Sequence, residues 1–427
     1  MNKRVKGSVI FIFFLLVTVL YFLSWYIVFD GNVISSDGVV YYQYFQDFIL
    51  SKGEEIHQIK FPVGTTLFQL PFLLVALVIS KLTGIDIDNG YAKIFQTAVF
   101  SAALFWFVIG IVLLYQTLRR KFSDIAATLS CFCITFGTMI PVYVCENASM
   151  SHVYGFFVSC LFFNFITSYE ERYNDYSRRR KFLADISLGL ILGLSFLIRN
   201  TNVLIGAVYL FYNVDSLKSL WNRLKTSIIR PKIVVQIAAF AMPVLIQLCL
   251  WRKQTGRWLL FSYGDEEFTY WAKPHILDVL FSDAKGLLIF CPILFIALVA
   301  MILWRKENKE YRVAQWAIFI AVTYEIAAWW CWWLGNAYSE RMYCDMLFIF
   351  AVPLASFFGN LNKQIELGKE KEESFIMKII PVFLYVSAIA LVGLSMVWII
   401  GSRNASINVN FASWNELKHQ LFNILYR

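Results

Sequence analysis

Polar residues in this chain are confined to short stretches between long apolar runs. Val9–Phe29, Ile94–Leu118, Ile125–Val144 and Ile379–Ile400 hold almost no charge. A bilayer core about 30 Å thick takes roughly 20 apolar helical residues to cross. Lipid offers backbone groups no hydrogen bonds, so runs of this length read as helices rather than barrel strands. The pattern predicts an all-α polytopic membrane protein. Lys3, Arg4 and Lys6 precede the first run, which is longer than a signal-peptide core and shows no small-residue cleavage site. That predicts a retained first span with the N-terminus in the cytoplasm.

Composition agrees. Hydrophobic residues make up 59% of the 427 and charged residues 16%, against about 25% charged in a soluble domain. The net charge of +9 sits in short loops between spans, as the positive-inside bias requires, and so does not mark a nucleic-acid surface. The eight Cys are scattered through apolar segments, with Cys131-Phe132-Cys133 the only close pair. No metal-like spacing appears, and buried structural thiols are the expectation.

Basic loops set the threading. Arg119–Lys121, Arg172 with Arg178–Lys181, Lys218–Lys232, Arg305–Arg312 and Lys363–Lys378 should all be cytoplasmic. Pro62–Leu82 is apolar enough to span, but if it crossed, every later loop would change sides. It is therefore expected to be a re-entrant or interfacial helix that stays on the outer side. Eleven spans follow, over 9–29, 93–117, 124–144, 149–168, 183–198, 200–213, 233–251, 286–304, 312–332, 341–359 and 378–400. They make one transmembrane domain, 1–427, with outer loops 30–93 and 251–285 and an outer tail 401–427. Leu217, Leu220, Trp221, Leu224 and Ile228 recur at helical spacing among Lys and Arg, predicting a helix on the cytoplasmic surface. Ser413-x-x-Glu416 is a capping box that opens a helix in the tail.

The candidate chemistry gathers at the outer ends of the spans. Spans 183–198 and 200–213 are short, so the turn Arg199-Asn200-Thr201-Asn202 should be recessed. Arg199 there either faces a cavity or snorkels to head groups. Glu325 lies one or two turns inside the outer end of its span, and Arg341 and Asp345, four residues apart, can pair on one helix face. Asp37 follows the first span closely. Its carboxylate can act as a general base towards a hydroxyl or cap the following helix. Gly38 would permit a tight turn, and Tyr41, Tyr42 and Tyr44 would anchor that helix in the interface. Trp329, Trp330, Trp332 and Trp333 form an aromatic belt or a sugar platform.

The order of first span, Asp37-Gly38-x-x-Tyr41-Tyr42 and Phe61-Pro62-Val63-Gly64-Thr65-x-x-x-x-x-Pro71 resembles the GT-C membrane glycosyltransferases. It is similar to the superfamily of protein O-mannosyltransferases and lipid A aminoarabinose transferases. Ser149-Met150-Ser151-His152, Gly193-Leu194-Ser195-Phe196-Leu197-Ile198-Arg199-Asn200 and Gly335-Asn336-Ala337-Tyr338-Ser339-Glu340-Arg341 also look like segments of bacterial members. In that superfamily the first outer loop carries the catalytic Asp and continues into interfacial helices. This chain departs from the pattern in two ways. It has no obvious second carboxylate beside Asp37, the later acids of the loop being Asp47, Glu54, Glu55, Asp86 and Asp88, and it has no soluble carbohydrate-binding domain.

The resemblance implies transfer of a sugar from a polyprenyl-phosphate carrier to a glycan, lipid or protein acceptor on the outer face of the plasma (inner) membrane. Asp37 would be the base. Arg341, Arg199, His152, His275, Lys273, Tyr42 and Glu340 would hold the donor's phosphate or sugar. Glu146, Asp265 and Glu266 could form an acceptor or divalent-cation site, or simply be solvated. No cofactor is required by the sequence, and a divalent cation is left open. The competing readings are a transporter or flippase of lipid-linked sugars and a noncatalytic scaffold. A transporter should concentrate ionisable groups near the midplane, which is bare here.

Overall fold

The fold comes from a computed structural model that describes residues 3–29, 31–51, 53, 56–228, 231–261, 263–304, 306–370, 375–404, 406–408 and 412–425. Among the described residues it is built from helices, without a strand. Gly7–Val28, Gly64–Thr83, Asp88–Leu118, Arg178–Ile198, Lys232–Thr255 and Lys378–Arg403 are long and apolar enough to cross a membrane, and Asp124–Phe136 and Ile293–Leu303 are shorter apolar helices. Their outward faces carry exposed Phe13, Leu20, Ile27, Val234, Ile237 and Phe383, which only lipid can cover without cost. The chain is a multi-pass membrane protein.

The basic loops meet at one end of the bundle. Arg120 donates to Glu171 at 2.9 Å, Lys121 pairs with Glu310 at 2.6 Å, and Arg223 forks onto Glu170. Helix Leu217–Ile228 lies there with Leu217 and Trp221 exposed, as its spacing predicts. At the other end, Ser413 and Glu416 exchange hydrogen bonds, Glu416 accepting from Ser413 N at 2.9 Å and Ser413 Oγ from Glu416 N at 3.3 Å. This capping box opens helix Trp414–Leu425.

Helix Gly64–Thr83 starts part-way along the bundle and ends close to Lys93, at that second end. It runs antiparallel to the first half of Lys93–Leu118, Phe68 carbonyl accepting from Trp106 Nε1 at 2.9 Å and Phe72 meeting Phe105. Nine residues then connect Thr83 to Lys93. Gly64 at its start lies against Leu197 and Ile198, where an added Cβ would come 2.5 Å from Leu197 C. The helix thus starts beside the middle of its neighbour and runs back towards that neighbour's start, without reaching the end where the basic loops meet.

Several expected spans are continuous only in their far halves. Asp124–Phe136 breaks at Gly137 before Ile140–Cys145 resumes, and Ile198 gives way at Arg199 to a 3-10 helix, Asn200–Gly206. Leu287–Phe290 is broken from Ile293–Leu303 at Cys291 and Pro292, and Arg341–Met346 is 3-10 before Phe348–Glu370. Irregular backbone at membrane depth survives only where protein buries it or a cavity lies beside it. Two of these breaks, at Arg199 and at Arg341, line one cavity.

Candidate active site

Asp37 is the first residue of helix Asp37–Phe45, after Ser36 at φ 53°. It does not cap that helix. Its Oδ2 accepts from Arg341 Nη2 at 2.7 Å, leaving the carboxylate about half exposed. Gly38 follows because of close packing, not a turn. A Cβ there would come 1.8 Å from Ser149 Oγ, which itself donates to Val33 O at 2.7 Å. Gln69 Nε2 donates to Ser149 O at 3.1 Å, so the re-entrant helix and the Ser149–His152 segment together fix Asp37 in place.

Arg341 and Asp345, which spacing on one helix face would allow to pair, have other partners. Asp345 Oδ1 lies 3.0 Å from His152 Nδ1, both side chains buried, and the edge of Tyr143 closes over the imidazole. Arg341 and Asp345 stand on 3-10 backbone, where four residues turn about 480°, leaving them about 120° apart. On an α-helix the same spacing leaves about 40°.

Arg199 sits in extended backbone between its helix and the 3-10 segment. It makes no side-chain hydrogen bond or ion pair with another described residue. Burial acts to lower its pKa, but Asp345, Tyr41, Tyr263 and Glu325 more than offset this and the pKa is raised. It therefore stays charged. Burial also holds the Tyr41 and Tyr263 phenols above their usual value.

Asp37, His152, Arg199, Glu266 and Arg341 line one cavity of about 570 Å³. Sequence reasoning named these five. Tyr41, Lys60, Tyr263, Glu325, Trp329 and Trp330 complete much of its wall. Lys60 pairs with Glu266 and lies 5.0 Å from the Tyr263 ring centre. Trp329 meets the edges of Tyr263 and Phe268, at 5.8 Å and 5.0 Å.

The remaining candidates fall outside the lining. Tyr42 is turned away, its hydroxyl donating to Gly90 O at 2.6 Å; one helical turn after Asp37 comes Tyr41, which helical spacing could have singled out. Lys273 is exposed, and His275 binds Asp278 at 2.8 Å while stacking on Trp332. Glu146 accepts from Trp25 Nε1 at 2.9 Å near Arg403, and Asp265 is exposed on a turn. Glu340 is fully buried behind Arg341, both carboxyl oxygens without a hydrogen-bond partner among the described residues. Burial pushes its carboxyl well up and pushes nearby Lys285, which donates to Gly335 O, down to about 8. Of the first loop's other acids, Asp47 binds His57 at 3.0 Å, and Glu54 and Glu55 lie outside the described residues.

No protein-family model matches the sequence. No curated protein matches it significantly either. Solved structures do match the fold. The archaeal oligosaccharyltransferase AglB from Archaeoglobus fulgidus, in complex with an inhibitory peptide and a dolichol-phosphate, superposes with a TM-score of 0.52 at 12% identity over 94% of this chain. The chain spans only 56% of that protein's length. ArnT from Cupriavidus metallidurans, bound to undecaprenyl phosphate, superposes with a TM-score of 0.52 at 14% identity, over 93% of this chain and 71% of its own. The chain has the GT-C fold of these two membrane glycosyltransferases.

Proposed function

We propose that the protein transfers a sugar from a polyprenyl-phosphate carrier to an acceptor hydroxyl, with the cavity opening to the outer face of the plasma membrane. The observation that carries this reading is the 2.7 Å contact between Asp37 and Arg341 in a cavity that Arg199 also enters. It pairs a proton acceptor with cations for a leaving phosphate, at the end of the bundle where no basic loops gather.

The acceptor hydroxyl attacks the anomeric carbon, and Asp37 takes its proton as the new C–O bond forms. The bond from that carbon to the phosphate oxygen breaks, and its electron pair leaves with the polyprenyl phosphate. Arg341 and Arg199 meet the charge that develops on that oxygen. Arg341 can serve both partners. Nη2 holds Asp37, while Nη1 has only Met150 Sδ, at 4.0 Å, among the described residues, and a guanidinium carries five N–H donors. Inversion at the sugar is expected of such a displacement.

A guanidinium, not a second carboxylate, stands beside Asp37, and no three His, Cys, Asp or Glu side chains among the described residues gather to hold a metal.

The test is turnover by purified protein in lipid across a panel of polyprenyl-phosphate sugars, beside Asp37→Asn. Turnover lost in a variant that still folds and binds donor would support the reading. Equal turnover by the variant would remove Asp37 as base, and silence with every donor would remove the transfer reading itself.

A further inference from the structure

One carboxylate of the cavity has no part in the transfer chemistry. Glu325 stands near the end of helix Arg312–Ala328 and lines the cavity with Thr201, Tyr263 and Trp329. Arg199, two positions before Thr201, lies within its electrostatic reach, yet the two do not close to an ion pair within 4.0 Å. A charge drawn out of water without a contacting partner is costly. A pair that faces one cavity and stops short of contact leaves room for a ligand with a group for each.

The ligand's two ends are set by that arrangement. Arg199 has its donors open for a phosphate. A carboxyl group offers several lone-pair sites, and groups that satisfy them must donate hydrogen bonds. A cationic substituent would suffer repulsion from Arg199, whereas a neutral hydroxyl would not. The aromatic wall of Tyr263 and Trp329 suits the apolar face of a ring, with a few polar groups fixing its orientation.

We propose that Glu325 is the specificity residue for the donor sugar, accepting hydrogen bonds from its ring hydroxyls while Arg199 holds the phosphate. The inference rests on the transfer reading above and names which end of the cavity reads the sugar. A site built to bond a hydroxyl discriminates strongly against an analogue that lacks it, because its own polar group is left unpaired.

The experiment measures binding of sugar-free polyprenyl phosphate, and binding and turnover of polyprenyl-phosphate hexoses with single hydroxyls replaced by hydrogen. It compares wild type with Glu325→Ala and the near-isosteric Glu325→Gln, each checked for monodispersity and thermal unfolding. Wild type should prefer the full hexose over one deoxy analogue by on the order of 10- to 100-fold. Glu325→Ala should erase that preference and Glu325→Gln reduce it, with sugar-free carrier bound equally by all three. Preference that survives in both variants would overturn the assignment, as would equal weakening of the sugar-free carrier. A wild type that does not bind sugar-free carrier would instead remove the transfer reading beneath it.

Discussion

Asp37 and Arg341 stand 304 positions apart in sequence, yet Oδ2 of one lies 2.7 Å from Nη2 of the other. The contact depends on how Arg341 is presented. Leu334 at φ 55° and Ser339 at φ 53° both hold left-handed backbone, as does Gly335 at φ 61°. Non-glycine residues keep that conformation only when their surroundings impose it. Here Tyr143 Oη donates to Tyr338 O at 3.0 Å, and Lys285 holds Gly335 O.

Because the two groups touch, their substitutions should not add. Arg341→Met should weaken donor binding and slow turnover, and Asp37→Asn should slow turnover alone, by roughly 10²- to 10⁴-fold. In the double variant the loss should differ from the sum of the singles by about 0.5–3 kcal/mol. Strict additivity in kcat/KM would show that the contact has no part in the reaction.

Gly64 offers a test of the scaffold. An added Cβ there would meet backbone, 2.5 Å from both C and O of Leu197 and 2.7 Å from Ile198 N. Backbone cannot swing aside as a side-chain tip can, so Gly64→Ala must push the re-entrant helix away from the turn that carries Arg199. Overpacking of this kind costs about 1–3 kcal/mol. Thermal unfolding in detergent should fall accordingly, with donor affinity falling too; unchanged values for both would mean the two segments are not held together.

Much of this was legible in the sequence, and the failures have a common cause. Bilayer thickness dictates apolar runs, so the helical bundle and the confinement of chemistry to one end could be read directly. Asp37, Arg199, His152, Glu266 and Arg341 do share a cavity, because loop parity and short spans already put them at one level. Where each side chain aims was another matter. His152 and Asp345 are 193 positions apart, and nothing local announces their contact. Lys60 joins the wall from beside the Phe61-Pro62 motif, and Glu325 was visible as an intramembrane acid without a role. Tyr42 and Glu340 sit within quoted motifs but point into packing. The turn at Arg199 was foreseen, but the breaks at Gly137 and Cys291 and the 3-10 backbone at Arg341 were hidden, because an apolar run reads the same in α and 3-10 backbone.

Lys285 and Glu340 should respond to pH in opposite senses. Burial pushes Lys285 down to about 8, below the roughly 10.4 of an unfolded chain. Its contribution to stability is therefore present above about 10.4 and lost as pH falls through 8, amounting to at most about 3 kcal/mol. Glu340, pushed up by burial, contributes stability that is present below its unfolded value near 4.3 and lost as pH rises. Thermal unfolding of wild type should thus gain on Lys285→Met between pH 8 and 10. Glu340→Gln should gain on wild type as pH rises from 5. Curves for wild type and either variant that run parallel over its window would contradict that residue's assignment.

The return of helix Gly64–Thr83 decides the side on which every later loop lies, and it can be tested without knowing the substrate. The helix is long and apolar enough to span, so hydropathy alone would pass it through the membrane. Its contacts argue otherwise. Thr66 donates to Tyr41 O at 2.5 Å and Gln69 to Ser149 O at 3.1 Å at one end, and the other end reconnects to Lys93 beside Tyr26. All of these lie in the half of the bundle away from Arg120 and Arg223. Cysteines introduced singly at Gly31 and Gly84, in a background with the exposed Cys249 replaced, should react with an impermeant thiol reagent from the same side. A cysteine at Arg120 should react from the opposite side. If Gly84 instead labelled together with Arg120, the helix would cross, and Asp37 and Arg341 could not share a leaflet in the way their contact requires.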